Sequence, residues 1–254
     1  MDGFVGFWGR DYDREKGLME VNKIMDAYQN TVELPNKKKL PVIFRTGDIL
    51  PLIKFLKDLD GNCYGSKSSL FSGKIKEKIF ASKFTLLQNR NKEDTLLTPF
   101  FDVEGTVQLD GRAPLVEDGV FLSPFTDKRS AKKYDLPLTG AAEAEYDGIP
   151  TIGKPKLTIK DSGKTAKELL EGEVGVFVMV ASGGDFTPQG NFGSPVQLAF
   201  LFDGEKIMGK LPELKILSNI WDMYGKDFIG VSSDNVGPLN PEKYLIMQME
   251  VSEM

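Results

Sequence analysis

Imidazole is the side chain most often recruited for catalysis and metal binding near neutral pH, and this 254-residue chain contains none. It has one cysteine, Cys63. These two counts exclude zinc sites built on histidine or on paired cysteines, and nucleophiles activated by an imidazole base. They also leave Cys63 without an intrachain disulfide partner. Chemistry then falls to hydroxyls, lysines and carboxylates. Asp102 and Glu104 stand two apart, after Pro99-Phe100-Phe101 and before Gly105. On a strand, alternation would put both on one face, where paired carboxylates share a proton or hold a hard cation such as Mg²⁺ or Ca²⁺. A turn whose backbone N–H groups bond these oxygens is the plainer reading, and the preferred one.

Other short patterns fail on inspection. Gly204 to Lys210 fits seven positions of a phosphate-binding loop, but Leu211 stands where a hydroxyl should hold magnesium, and the stretch starts at a hairpin turn and runs into a strand. Gly163-Lys164-Thr165 lacks the leading glycine, which is Thr158. Ser130 and Lys133 give S-x-x-K and Ser233-Asp234-Asn235 gives S-D-N, yet no K-T-G follows, so a serine–lysine acyl transferase is excluded. Residues 183–195 are the most unusual stretch: four glycines, Asp185 and Asn191 between two apolar strands. That composition suits either backbone approach to an extended peptide or tight packing beneath another loop.

The elements that position these residues can be read from periodicity. Residues 1–40 read as an arm and linker. Leu18, Val21, Met25 and Tyr28 mark one helical face between Asp11 and Gln29, and Leu34-Pro35-Asn36 with Lys37, Lys38 and Lys39 breaks it. The three lysines read as a solvated linker. Residues 41–254 read as one β-rich domain. Pro41-Val42-Ile43-Phe44 is a buried strand, and Asp48 is a helix N-cap with Pro51 in the first turn. Ile49, Leu52, Ile53, Leu56 and Leu59 should face a sheet, with Asp60-Gly61 ending the helix. Beyond Lys83 the period is two, and Asp-Gly pairs at 110, 118, 147 and 203 suggest tight hairpins. Residues 174–180 and 244–251 read as strands, and Thr165 to Glu168 has capping-box spacing. The expected class is α+β, mostly antiparallel β as a twisted or barrel-like sheet, with a few short helices.

A net charge of −5, from 32 basic and 37 acidic side chains, opposes a nucleic-acid role. No apolar stretch approaches the roughly 20 residues of a membrane helix, and no secretory signal is visible, so a cytoplasmic protein is expected.

Several segments, in order, carry a family likeness. They are Pro41-Val42-Ile43-Phe44, Ser66-Lys67-Ser68-Ser69-Leu70-Phe71 and Pro99-Phe100-Phe101-Asp102-Val103-Glu104-Gly105. Glu117-Asp118-Gly119-Val120-Phe121-Leu122, Gly184-Asp185-Phe186-Thr187, Leu201-Phe202-Asp203-Gly204-Glu205 and Ile216-Leu217-Ser218-Asn219-Ile220-Trp221-Asp222 follow. Across residues 40–235 their order and spacing resemble the C-terminal domain of the TldD/PmbA family, whose PmbA-type members are also called TldE.

The resemblance implies a cytoplasmic peptidase assembly acting in peptide maturation and proteolysis, whose members are also known as modulators of DNA gyrase. In that family, TldD-type subunits hold a metal with an HExxxH helix and a later cysteine. PmbA-type subunits keep the fold without those ligands and pair with a TldD-type subunit. Here the metal-bearing helix falls on residues 48–59, with Leu52, Ile53 and Lys57 where two histidines and a glutamate would stand, and Cys63 too early to be the late ligand. The chain therefore resembles the PmbA-type subunit: no metal, no cofactor, and not catalytic alone. The partners implied are a TldD-like catalytic subunit or a second copy, and a peptide; no nucleic acid and no membrane. Contacts to peptide or partner are expected at Lys67, Ser68, Ser69, Asp185, Asn191 and Gly193. Two features depart from the family: Met1 begins just before the linker, without the N-terminal α/β domain, and Gly190-Asn191-Phe192-Gly193-Ser194 stands where an arginine followed by small residues is more usual. The alternatives are a carboxylate- or cation-dependent peptidase using Asp102, Glu104 or Asp185, and a stand-alone interaction module.

Overall fold

Leu40, Val42 and Phe44 alternate with Pro41 and Ile43, and that period builds strand β1 (Lys39–Arg45), buried from Leu40 to Phe44. The computed structural model describes residues 12–95, 98–237 and 239–254. Helix α1 (Arg14–Gln29) precedes β1, and α2 (Ile53–Asp58) and α3 (Gly61–Gly65) follow it. Then come β2 (Leu86–Asn89), β3 (Arg112–Glu117), β4 (Val120–Phe121), α4 (Lys128–Tyr134), β5 (Ala142–Glu143), β6 (Thr151–Ile152), β7 (Leu157–Ile159) and α5 (Ala166–Leu170). The last third holds β8 (Gly175–Val180), β9 (Asp185–Phe186), β10 (Asn191–Val196), β11 (Leu198–Phe202) and β12 (Ile207–Lys210). It closes with β13 (Leu214–Asn219), α6 (Ile220–Met223), β14 (Phe228–Gly237) and β15 (Asn240–Glu253).

The main sheet runs β12-β11-β8-β1-β15-β13-β10-β9, with β14 also paired to β15. Its pairs are antiparallel except β1 with β8. Only Gln197 separates β10 from β11, yet these strands lie far apart in the sheet order. The sheet must therefore curl until its two flanks meet at Gln197, whose N–H donates to Val180 O at 3.0 Å. Strands β4-β3-β2-β7 form a second sheet, and β5 and β6 a two-stranded ribbon. The class is the antiparallel-dominated α+β fold expected.

The two faces of β1 feed two cores. Leu40, Val42 and Phe44 join the largest cluster, while Ile43 joins Phe177, Phe202, Tyr244 and Ile246 beneath α5. Thr165 and Glu168 cap α5 reciprocally, as their spacing predicts. Ser130, the S-x-x-K serine, is spent in an equivalent box with Asp127 at the start of α4. Lys37, Lys38 and Lys39 are not a merely solvated run: they pair with Glu173, Glu250 and Asp227 at 2.7, 3.2 and 2.6 Å.

Three expectations need correction. On α1, Leu18 and Met25 are 48% and 54% exposed and Tyr28 is also exposed; the helix packs instead through Gly17, Ile24 and Ala27, whose small or slim side chains allow close approach to the sheet. Asp11 lies outside the described residues, and Asp13 is the N-cap. Asp48 caps no helix, because its carboxylate is held by Arg45 Nη2 and Arg45 N–H, each at 2.9 Å. A 3₁₀ turn, Leu50–Leu52, leads into α2, and Asp60 caps α3 rather than ending α2. Of the four Asp-Gly pairs, only Asp110-Gly111 and Asp118-Gly119 put both residues at positive φ.

Gly119 is required twice over. Its φ is +82°, and a Cβ there would meet Phe80 O at 2.4 Å and Ala81 O at 2.6 Å. Those are backbone atoms that cannot swing aside. Gly119→Ala should cost about 2 kcal/mol or more, read as a fall in the urea midpoint. Gly172→Ala, at φ +87° with open space around it, should show only the smaller left-handed strain of about 1–2 kcal/mol.

Candidate functional site

Strands β1 and β8 pair only at Val42 with Val176 and Ile43 with Phe177, and then part. A groove of about 270 Å³ opens where they separate. Phe44, Ile49 and Leu50 line one side and residues 178–181 the other, with the Arg45–Asp48 pair beside them. Ile49 is 56% exposed and Val180 39%, and Ile53 on α2 is exposed as well, so apolar surface is offered to solvent along this edge. A sheet that separates while keeping apolar walls is suited to receiving an extended chain.

α2 follows the groove-lining residues Ile49 and Leu50 in the chain, and its register is set by rings. Phe55 is fully buried, with Tyr224, Phe80, Phe84 and Phe71 at centroid distances of 4.7, 5.6, 5.7 and 5.8 Å. Tyr224 donates its hydroxyl to Pro51 O at 2.7 Å, and complete burial pushes its pKa far above the usual phenol value. The leucines and isoleucines do not all turn inward as the periodicity suggests. Leu52, Phe55 and Leu59 are buried, and Ile49 and Ile53 are not.

The residue pair that spacing reasoning missed lies beside Phe55. Lys54 and Asp58 are an ion pair at 2.7 Å, their side chains only 4% and 5% exposed. Asp58 Oδ2 accepts no aligned hydrogen bond, so its compensation is the ammonium charge alone. Lys54 Nζ also reaches Pro188 O at 3.4 Å, a long contact. From the other end, Ser69 Oγ donates to Asp58 O at 2.6 Å and Leu70 N–H reaches Asp58 Oδ1 at 3.4 Å. The signal available was an opposite-charge pair four apart, each followed at once by a large apolar residue.

Through this pair the fold gathers most of the residues singled out in the sequence. Residues 67–69 follow α3: Lys67 and Ser68 are exposed, Ser68 Oγ donates to Cys63 O at 3.1 Å, and Ser69 is buried against Asp58. Residues 183–195 do not form one long loop. They fold into the hairpin β9–β10, with Gly193 opposite Asp185 on one side and Leu217 on the other. Asp185 and Asn191 are exposed; Asn191 Oδ1 accepts from Asn219 Nδ2 at 2.8 Å. Gly184 packs so closely that a Cβ would lie 2.4 Å from Ser194 Oγ and 3.1 Å from Leu50 Cδ1, which is the close-packing reading of this stretch.

Asp102 and Glu104 belong to another part of the molecule, and they are not a pair on one strand face. Asp102 is buried in a turn, its Oδ1 bonded by Glu104 N–H and Thr106 N–H and its Oδ2 by Ala142 N–H. Glu104 turns to Lys128 N–H. Every oxygen of Asp102 is already engaged.

The family's metal can be tested against the residues at its helix. Leu52 is buried hydrocarbon, and Ile53 and Lys57 face solvent; none is a usual zinc ligand. Burial, followed by the charges of Asp60 and Asp58, raises the pKa of Cys63. Among the described residues no three His, Cys, Asp or Glu side chains come together. The donors present do not fit a transition ion.

The described chain is thus an antiparallel-dominated α+β domain whose curled main sheet opens a groove where β1 and β8 part. The chain belongs to the PmbA/TldD family: the PmbA/TldA metallopeptidase C-terminal domain matches residues 37–252. TldE from Thermococcus kodakarensis superposes with a TM-score of 0.73 at 24% identity, covering 92% of this chain and 55% of that one. A candidate modulator of DNA gyrase from Bacteroides thetaiotaomicron gives 0.67 at 18%, covering 94% and 52%. An uncharacterised protein, MJ0231, from Methanocaldococcus jannaschii is 25% identical over 140 residues, which is 55% of this chain and 33% of that protein. The chain thus spans about half the length of the similar structures and a third of that relative. No helix among the described residues is long and apolar enough to cross a membrane.

Proposed function

We propose that this chain is a PmbA (TldE)-like, non-catalytic subunit of a TldD/PmbA-type peptidase system. In this reading it presents a peptide to a metal-bearing TldD-like partner in the cytoplasm. The observation that carries it is the helix after β1: where the family's ligand helix would offer histidines and a glutamate, this chain offers Leu52, Ile53 and Lys57, and it buries an ion pair, Lys54–Asp58, on the same helix. The adjoining groove has apolar walls, which supports a peptide-facing role. Lys67, Ser68, Asp185 and Asn191, exposed around the same region, are the proposed contacts; Ser69 and Gly193 act from beneath, through Asp58 and β13. A carboxylate peptidase built on Asp102 is disfavoured by the three N–H groups already on its oxygens.

Mixing supplies the test. Purified chain should bind zinc at well below one equivalent and cleave no unfolded peptide, and cleavage should appear when an HExxxH-bearing family subunit is added. Stoichiometric zinc, or hydrolysis by the chain alone, defeats the reading.

A further inference from the structure

Strand β1 stops pairing with β8 at Ile43, and one carboxylate stands where the next rung would form. Thr46 N–H donates to Lys243 O on the β15 side, so alternation along the strand turns Arg45 N–H toward β8. A ladder continued past Val42–Val176 and Ile43–Phe177 would carry that amide to Val178. It goes to Asp48 Oδ2 at 2.9 Å. The other carboxylate oxygen accepts from Arg45 Nη2, also at 2.9 Å, and Asp48 N–H closes the turn on Arg45 O at 3.0 Å. Bonds of this charge-assisted kind are roughly twice as strong as neutral ones, so Asp48 outcompetes a carbonyl of β8 for the amide.

The turn also decides where the chain goes next. Ile49 and Leu50 follow Asp48 directly, and both line the groove. Leu50 reaches across toward the segment after β8, since a Cβ on Gly184 would lie 3.1 Å from Leu50 Cδ1. The charged residues of the lining, Arg45 and Asp48, hold each other, and Glu242 stands 3.9 Å behind the guanidinium. The rest of the lining is apolar.

We propose that Asp48 is the positioning residue of the groove. It withholds Arg45 N–H from β8, keeps the two strands apart, and so leaves the edge of β8 free for an extended peptide with uncharged, apolar side chains. The peptide rests on the peptide-facing reading of the groove; the separation of the strands does not. Without the Asp48 carboxylate, Arg45 N–H is released to complete the rung to Val178, and the guanidinium keeps Glu242 as a counterion.

Two measurements on the full chain separate these parts. In Asp48→Ala, cross-strand NMR contacts between Arg45 and Val178 should appear; if they do not, the proposal fails whether or not a peptide binds. A short fluorescent peptide alternating valine and threonine should bind Asp48→Ala about tenfold or more weakly than wild type, because closure leaves only a tenth or less of the molecules open. The melting temperature should stay level or rise, an outcome that a carboxylate serving stability alone would not give. Asp48→Asn keeps an oxygen for Arg45 N–H and should bind within about threefold of wild type. New Arg45–Val178 contacts with undiminished peptide binding would overturn the positioning role. A wild-type chain that binds no such peptide would defeat the peptide-facing reading, and the NMR contacts would then still decide what Asp48 does to the strands.

Discussion

Lys54→Met should destabilise the chain by about 3–5 kcal/mol, the range for removing one partner of a buried ion pair. The cost comes from what is left behind. Asp58, 5% exposed, would be left with only a 3.4 Å contact from Leu70 N–H and no counterion. Local helix energetics cannot explain the pair. A lysine four residues before an aspartate is the weaker orientation, and on a six-residue helix both charges oppose the dipole. The pair must therefore be retained for its tertiary contacts, to Pro188 on one side and to residues 69–70 on the other. A double variant, Lys54→Met with Asp58→Leu, separates charge from packing, since replacing both partners by apolar groups is often neutral or better. Urea unfolding should show the single variant far below wild type and the double variant recovering most of the difference. A single-variant loss under about 1 kcal/mol would mean that water reaches the pair.

That result bears on why the site was only partly legible. Strand β1, the Asp118-Gly119 turn and the Thr165–Glu168 box were readable because each is decided by a few adjacent residues. The start of α2 was not, because Asp48 could serve either as a cap or as a partner for Arg45, and the choice depends on where β1 ends. Residues 191–196 looked like loop because Gly193 and Pro195 interrupt the pattern. Beneath them Phe192, Ser194 and Val196 alternate inward as a strand should. The proline is tolerated because β9 pairs only with Phe192 and Gly193, leaving β10 a free edge at Pro195. Family resemblance supplied the helix position, but not the reason the helix stays in place without ligands. That reason is the packing of Phe55 against Phe71, Phe80, Phe84 and Tyr224, joined by the contact of Lys54 with Pro188, and no local spacing encodes these long-range contacts.

Phe55→Ala should be as severe, about 3–5 kcal/mol, and it tests whether the groove depends on the aromatic cluster. Four rings lie within 5.8 Å of the Phe55 centroid, and none can collapse into the space without losing another contact. Trp221 reports on this directly: it stacks on Phe80 at 5.9 Å and meets Phe71 edge-on at 5.5 Å, so its near-ultraviolet dichroism should weaken. Phe55→Leu, which keeps more of the volume, should cost substantially less and keep most of that signal. Exposed Ile53, two residues earlier on the helix, should tolerate alanine within about 1 kcal/mol. The link to the groove runs through Pro51, whose carbonyl is held by Tyr224, itself packed on Phe55. If the cluster sets the groove wall, Phe55→Ala should weaken capture of an extended apolar peptide even below its unfolding temperature, whereas Ile53→Ala should change binding without changing the Trp221 signal. Equal peptide binding by wild type and a folded Phe55→Ala protein would show that Ile49 and Leu50 hold their places by other means.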